Sequence, residues 1–383
     1  MSAMPNRPEP RLTRREVLTA AVAAIALPTF LQEEAGAQSA DLALPGPFRG
    51  RVIEVFHPGS VVAGKVRQEA VSEMMTRGML ALTGAQDEAS AWKRFFGPGD
   101  VVGIKGSAVG RPHSVSQPET LLAVMRGLML AGVRPQDILL FERYGNELRE
   151  SPYAHIAPKG VQVAAAVHDY DGVQTGLDGY DPTTYVEMPR VHSSVDPNVA
   201  VNRRSHLCKI VSQQVTKVIS VSTLKDHASA GITMALKNMS HGLVNNVSRS
   251  HLDAESNWCD TFIPTVVGMK KIREKVALHI GDGLIGTYDG GPGVWNPHFR
   301  TWEYRSLFFA TDPVAMDRIG WTILDAKRAS VGLPPLAETG KKAKNPGFEQ
   351  FDKRQPEHVL LAAKAGLGEA DLKKIQHRRL RLG

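Results

Sequence analysis

"VVGIKGSAVGRPHSVSQPETLLAVMRGLMLAGVRPQDILLFER", residues 101–143, is the stretch whose reading decides the fold. A short apolar run ends at Lys105 and gives way to a loop of Gly and Ser. An apolar-periodic segment follows, with Pro118 in its first turn and Gly132 at its stop, which predicts a helix. Ser116 and Glu119 have the spacing of a capping box, in which each side chain bonds a backbone N–H of the other's residue. A second apolar run, "ILLF", then ends at Glu142 and Arg143. Two strands joined through a helix in this way lie parallel in one sheet with a right-handed crossover.

Working outward, "RVIEVF" (51–56) reads as a strand and "KVRQEAVSEMMTRGMLALTG" as a helix closed by Gly84. "DEASAWKRFF" reads as a short helix ending at the turn 97–100. The runs "VQVAAAV", "VISVSTL", "VALHI" and "LFFA" read as further strands, stopping at His168, Lys225, Asp282 and Asp312. The expected class is α/β: a mostly parallel or mixed open sheet with helices on both faces, in one large domain at 38–325. Residues 326–383, with the loose stretch "GLPPLAETGKKAKNPG", are expected to be a peripheral C-terminal segment. Ligands in open parallel sheets sit beyond the carboxyl ends of the strands. Lys105, Arg143, His168, Lys225, Asp282 and Asp312 share one such rim if the strands run parallel.

Composition narrows the function classes. Lys plus Arg number 46 against 39 for Asp plus Glu, a formal charge of +7 spread thinly apart from the tail "HRRLRLG". A nucleic-acid binder concentrates its cations on one stripe or arm, so no nucleic-acid partner is expected. Near the N-terminus, "RLTRREVLTAAVAAIALPTFLQEEAGAQSA" has a basic start, a short apolar run interrupted by Pro28, and Ala35-Gly36-Ala37 as a cleavage pattern. The run is too short to span a bilayer comfortably, so no stable membrane span is expected in the mature form. Arg14-Arg15 with its flanks resembles the twin-arginine export signal. Residues 1–37 are therefore expected to be removed, with the export machinery as partner and a periplasmic or otherwise exported mature chain. The two cysteines, Cys208 and Cys259, are expected to be free buried thiols, and the absence of C-x-x-C argues against an iron–sulfur cluster or a cysteine-type zinc site. The identity of any other cofactor stays open.

"LKDHASAGITMALKN" (224–238) carries the chemistry. Ile232, Ala235, Leu236 and Met239 fall on one helical face, while Thr233 and Lys237 lie on another. The small residues before them let backbone approach a ligand, and a helix N-terminus offers unpaired N–H groups. Lys225 and His227 on the preceding loop complete an anion site for a carboxylate or phosphate. In "HGLVNNVSRSHLDAESNWCD", the spacing of His241, His251 and Asp260 fits no standard metal pattern, so no metal ligands are assigned. "GDGLIGTYDGGPG" places Asp282 and Asp289 in an expected flexible glycine loop. In "TDPVAMDRIG", Asp312 suits an N-cap before Pro313, and Asp317 lies one turn further in. There is no G-x-S-x-G elbow, P-loop or dinucleotide fingerprint.

The motifs "GPGDVVGIKGSAVG", "VSTLKDHASAGITMALKNMSHGLVNN", "HIGDGLIGTYDGGPG" and "ATDPVAMD" resemble, in order, those of the family called domain of unknown function 362, in its twin-arginine-exported form without a ferredoxin insert. The resemblance spans about residues 50–325. It puts Lys105, Lys225, His227, Lys237, Asn238, Asp282, Asp312 and Asp317 on motif positions. Ser107 stands where the family usually has Asn, which implies altered or weaker ligand binding. Redox chemistry is implied only for members with iron–sulfur clusters. The leading expectation is an exported enzyme acting on a small anionic substrate. Lys105, Ser107, Lys225, Lys237, Asn238 and Asp312 would bind it, His227 would be the general acid/base, and Asp282 or Asp317 would orient that histidine or hold a metal. The alternative is a non-catalytic periplasmic ligand or cofactor carrier with the same pocket. A third reading is a polyanion adhesin using the basic tail.

Overall fold

The computed structural model describes residues 42–172, 174–251, 257–337 and 354–383. The signal-like segment 1–37 lies outside the described residues. All described residues fall within the unit 35–383. Strands β1 (Arg51–Phe56), β2 (Val102–Lys105), β3 (Ile138–Tyr144), β4 (Gln162–Val167), β5 (Lys217–His227), β6 (Gly231–Thr233), β7 (Val276–Asp289), β8 (Arg300–Ala310) and β9 (Gln376–Arg381) form one nine-stranded sheet. Its order is β9-β1-β8-β7-β5-β2-β3-β4, with β6 folded back on β5. Pairing is parallel from β7 through β4, whereas β8 runs antiparallel to both β1 and β7.

Helices cover both faces, because buried strands of this kind need apolar partners on each side. Helices α1 (Gln68–Thr83) and α2 (Pro118–Leu130) cover one face through Val71, Met74, Met79, Leu121, Val124 and Leu128. On the other lie α3 (Ala235–Ser240), α4 (Cys259–Val267), α5 (Pro313–Ser330) and α6 (His358–Lys364). The alternation of β5 serves both cores: Val218 and Leu224 pack with the second group of helices, and Ile219 and Val221 with the first. Each such fully buried side chain contributes about 1.5–3 kcal/mol.

Three local expectations are corrected. The capping box does not form. Ser116 Oγ instead donates to Val221 O (2.7 Å) and accepts from Ser107 N (2.9 Å), and the start of α2 is capped by Asp282, 162 residues beyond Thr120. The glycine stretch after "VALHI" is not a flexible loop. It continues β7 as far as Asp289, because its glycines make room for neighbours: a Cβ on Gly286 would meet the Trp302 ring at 2.5 Å. Residues 231–233 are not helical. They form the return strand β6, whose Gly231 has φ +76° and faces Pro356 so closely that a Cβ would lie 2.6 Å from it.

The segment after 325 does more than a peripheral tail would. It supplies edge strand β9, parallel to β1, and places His377 Nε2 and Arg379 Nε at 2.9 and 3.0 Å from the carboxylate of buried Glu54. The basic tail is thus partly neutralised as a structural strand.

Candidate functional site

β5 runs seven residues past its last pairing with β2, where Lys105 lies opposite Ser220. That overhang is roughly 23 Å of strand, and β6 folds back on it, pairing Thr233 with Lys225 and Gly231 with His227. Successive side chains on a strand point to opposite faces. Lys225 and His227 therefore share one side and enter a cavity of about 260 Å³, while Asp226 between them points away. β2 adds Lys105, β3 adds Glu142 and Arg143, and α3 adds Lys237 and Asn238.

The cations divide into two kinds. Lys105 is engaged on every side: its Nζ donates to Glu142 Oε2 and Gly106 O, both at 2.7 Å, and lies 3.4 Å from Asn238 Oδ1. Arg143 donates to His241 O (2.6 Å) and Gln174 Oε1 (2.7 Å) and rests on the Tyr144 ring. By contrast, Lys225 and Lys237 are only 1% and 9% exposed, yet neither ammonium has a hydrogen-bond or ion-pair partner among the described residues. Burial lowers both to about 8 from the ordinary lysine value, and Lys225 adds to the depression of Lys237. They remain charged at neutral pH. Glu147, which also lines the cavity, is pushed up by burial and by neighbouring Glu142.

Three histidines line the same space, and their hydrogen bonds set their tautomers. His227 Nδ1 accepts from Ser229 N (3.0 Å) and Ala230 N (3.2 Å), so its proton sits on Nε2. His251 Nδ1 lies 3.3 Å from Ser248 O, which requires the proton there and leaves Nε2 as an acceptor. The two rings are nearly parallel, 6° apart with centroids at 5.8 Å. His241 lies between Ser240 Oγ (3.1 Å) and Ser250 Oγ (2.9 Å) and is satisfied internally. Burial, reinforced by Lys237, depresses all three, His251 to about 3. They are neutral at pH 7. His227 is thus a hydrogen-bond donor towards the cavity, because protonating it further means displacing two backbone N–H groups from Nδ1.

The expected site residues separate accordingly. Lys105, Ser107, Lys225, His227, Lys237 and Asn238 come together around the cavity. Asp282, Asp312 and Asp317 do not, and each caps a helix. Asp282 Oδ2 accepts from Gln117 N (2.8 Å) and Thr120 Oγ1 (2.7 Å), with burial raising it to about 6. Asp317 accepts from Ala235 N (2.8 Å) and Leu236 N (3.1 Å), with burial raising it to about 8. It therefore occupies the α3 N-terminus that was expected to face the ligand. Asp312 accepts from Ala315 N, Gly50 N and Glu369 N, each at 2.9 Å. It follows antiparallel β8, whose end points to the opposite rim. His168 borders a separate cavity with Asp169.

Residues 102–322 match the family model described as domain of unknown function (DUF362). The chain belongs to this family. A comparison with curated proteins finds no match. Every cavity residue, from Lys105 to Trp295, lies within the DUF362 match. Arg328 and Arg354, which pair with Asp226 behind the cavity, lie beyond it.

Sequence reasoning passed over Glu147, Tyr170 and Trp295. Glu147 sits in a five-residue helix without any pattern to mark it. Trp295 was legible in principle, as a large aromatic in the Gly/Pro-rich loop "GGPGVWNP". Cys208 and Cys259 are both buried and free. Among the described residues no group of three or more His, Cys, Asp or Glu is arranged to hold a metal ion. No helix among them is long and apolar enough to cross a membrane.

Proposed function

We propose that the cavity binds a small anion of the carboxylate or phosphate class, and that the protein is an exported enzyme acting on it. The observation carrying this reading is the pair of buried, unpartnered ammonium groups on Lys225 and Lys237. A buried charge without a counter-charge costs several kcal/mol. An anionic ligand offsets that cost, and charge-assisted bonds to it are about twice as strong as neutral ones. The Nε2–H of His227 supplies a third donor. Proton transfer then falls to His251, whose Nε2 carries the open lone pair, rather than to His227. Export by the twin-arginine route, with cleavage near Ala37, belongs to the same proposal. Replacing Arg14 and Arg15 by Lys should hold the protein in the cytoplasm, whereas unchanged export would remove that part.

The carrier reading keeps the same seat without chemistry. It is favoured by the filled Nδ1 of His227, which leaves one histidine fewer for proton transfer. Native mass spectrometry of protein from the exported fraction identifies any retained anion. Turnover of that ligand should fall about a hundredfold or more in His251→Gln under the enzyme reading. It is absent in both proteins under the carrier reading. Titration calorimetry with inorganic phosphate and with acetate tests the seat itself. Binding lost in Lys237→Met supports it, and equal binding by both proteins counts against it.

A further inference from the structure

The cavity is larger than an anionic group alone requires. Its 260 Å³ equals roughly nine water volumes at about 30 Å³ each, well beyond a bare phosphate or carboxylate. Its lining is also of two kinds. The cations Lys225 and Lys237 are buried, whereas Tyr170 and Trp295, which line the same cavity, are 59% and 61% exposed. Ligand pockets are lined largely by apolar and aromatic side chains around a few placed polar groups. Tyr170 and Trp295 each have a close neighbour. The Trp295 ring lies so close over Gly293 that a Cβ there would meet it at 2.0 Å. The Tyr170 ring stands edge-on to Tyr144 at 5.3 Å, and Tyr144 carries the Arg143 guanidinium on its face. The amide of Asn238 is already used at both ends, by Lys105 and Ser220. The Gln174 carbonyl accepts from Arg143 and Val247 N. That leaves Asn238 with no free amide group for the hydroxyls of a sugar.

Resting on the anion reading above, we propose that the ligand is an amphipathic anion: a phosphate or carboxylate attached to a flat aromatic ring. The anionic end sits against Lys225 and Lys237 and the ring against Trp295 and Tyr170. Ring faces at the mouth provide apolar area, and aromatic contacts favour a planar partner.

Matched ligand pairs test this by calorimetry on the full mature chain: inorganic phosphate against phenyl phosphate, and acetate against benzoate, with glucose 1-phosphate as the sugar control. Within at least one pair the ring should tighten binding about fivefold to tenfold. Trp295→Ala should remove that gain and leave the bare anion's affinity unchanged, while Trp295→Phe should keep most of it. Bare anions that bind while the ring adds nothing would overturn the ring assignment and leave the anion seat standing. Glucose 1-phosphate binding as tightly as phenyl phosphate would overturn it in favour of a sugar. No binding by any member of either pair would remove the anion seat, and this inference with it.

Discussion

Two faces of one strand treat charge in opposite ways. On one face of β5, Asp226 is fully buried and fully matched. Arg354 Nη2 lies 3.1 Å from its Oδ2, Gly291 N donates to its Oδ1 at 2.8 Å, and Arg328 Nη1 stands 3.9 Å away. On the other face, Lys225 is equally buried and has no such partner. The matched face ties the glycine-rich turn, α5 and the C-terminal segment to the sheet. The unmatched face opens on a cavity. Complete pairing marks architecture, and the incomplete pairing at Lys225 is where the proposed anion would supply the missing charge. The helix-capping aspartates belong with the first kind.

The sharpest way to break that contrast is Asp226→Ala. Removing the shared carboxylate leaves buried guanidinium groups uncompensated, and a loss of about 3–5 kcal/mol of stability is expected in urea unfolding. A loss below 1 kcal/mol would mean the matched face is not structural.

The pH dependence of stability comes next. Lys225 and Lys237 sit at about 8 in the folded protein and near the ordinary 10.5 when unfolded. Below pH 8 both states hold the protons and the cost of burying the charges is complete. Between about pH 8 and 10.5 the unfolded chain binds more protons, so stability rises with pH. The gain is on the order of 3 kcal/mol per lysine. Unfolding midpoints of the ligand-free protein should climb across that window, and a variant with both lysines replaced by Met should lack the climb.

Lys237→Met sharpens the comparison from the ligand's side. Stability should hold or increase, while affinity for the anion found to bind falls about 10- to 150-fold, the worth of a charged hydrogen bond at about 1.5–3 kcal/mol. The smallest effect is expected at Asp282→Asn. Losing a good cap on α2 should cost about 1 kcal/mol by thermal unfolding, with anion affinity unchanged. A drop in affinity there would return Asp282 to the site.

What could be read beforehand follows the range of the interactions involved. The β2–α2–β3 unit and the residues Lys105, Lys225 and Lys237 were legible, because apolar period and strand-end position are local properties. The partner of a carboxylate is not local. Asp282 reaches α2 from 162 residues beyond Thr120, and Asp317 reaches α3 from 82 residues beyond Ala235. Such aspartates look like site residues until their N–H donors are known. The tautomer of His227 was equally hidden, since it depends on the tight return of β5 into β6. The direction of β8 decided which rim Asp312 occupies, and no apolar run declares its direction.

The deciding property of the free protein is whether the ammonium groups of Lys225 and Lys237 stand buried and unmatched. NMR titration of the two lysines, assigned by single replacement, measures this directly. Protonation midpoints near 8 that move upward when a binding anion is added are the expected result. Midpoints near the value of a solvated lysine, unmoved by phosphate or carboxylate, would contradict it.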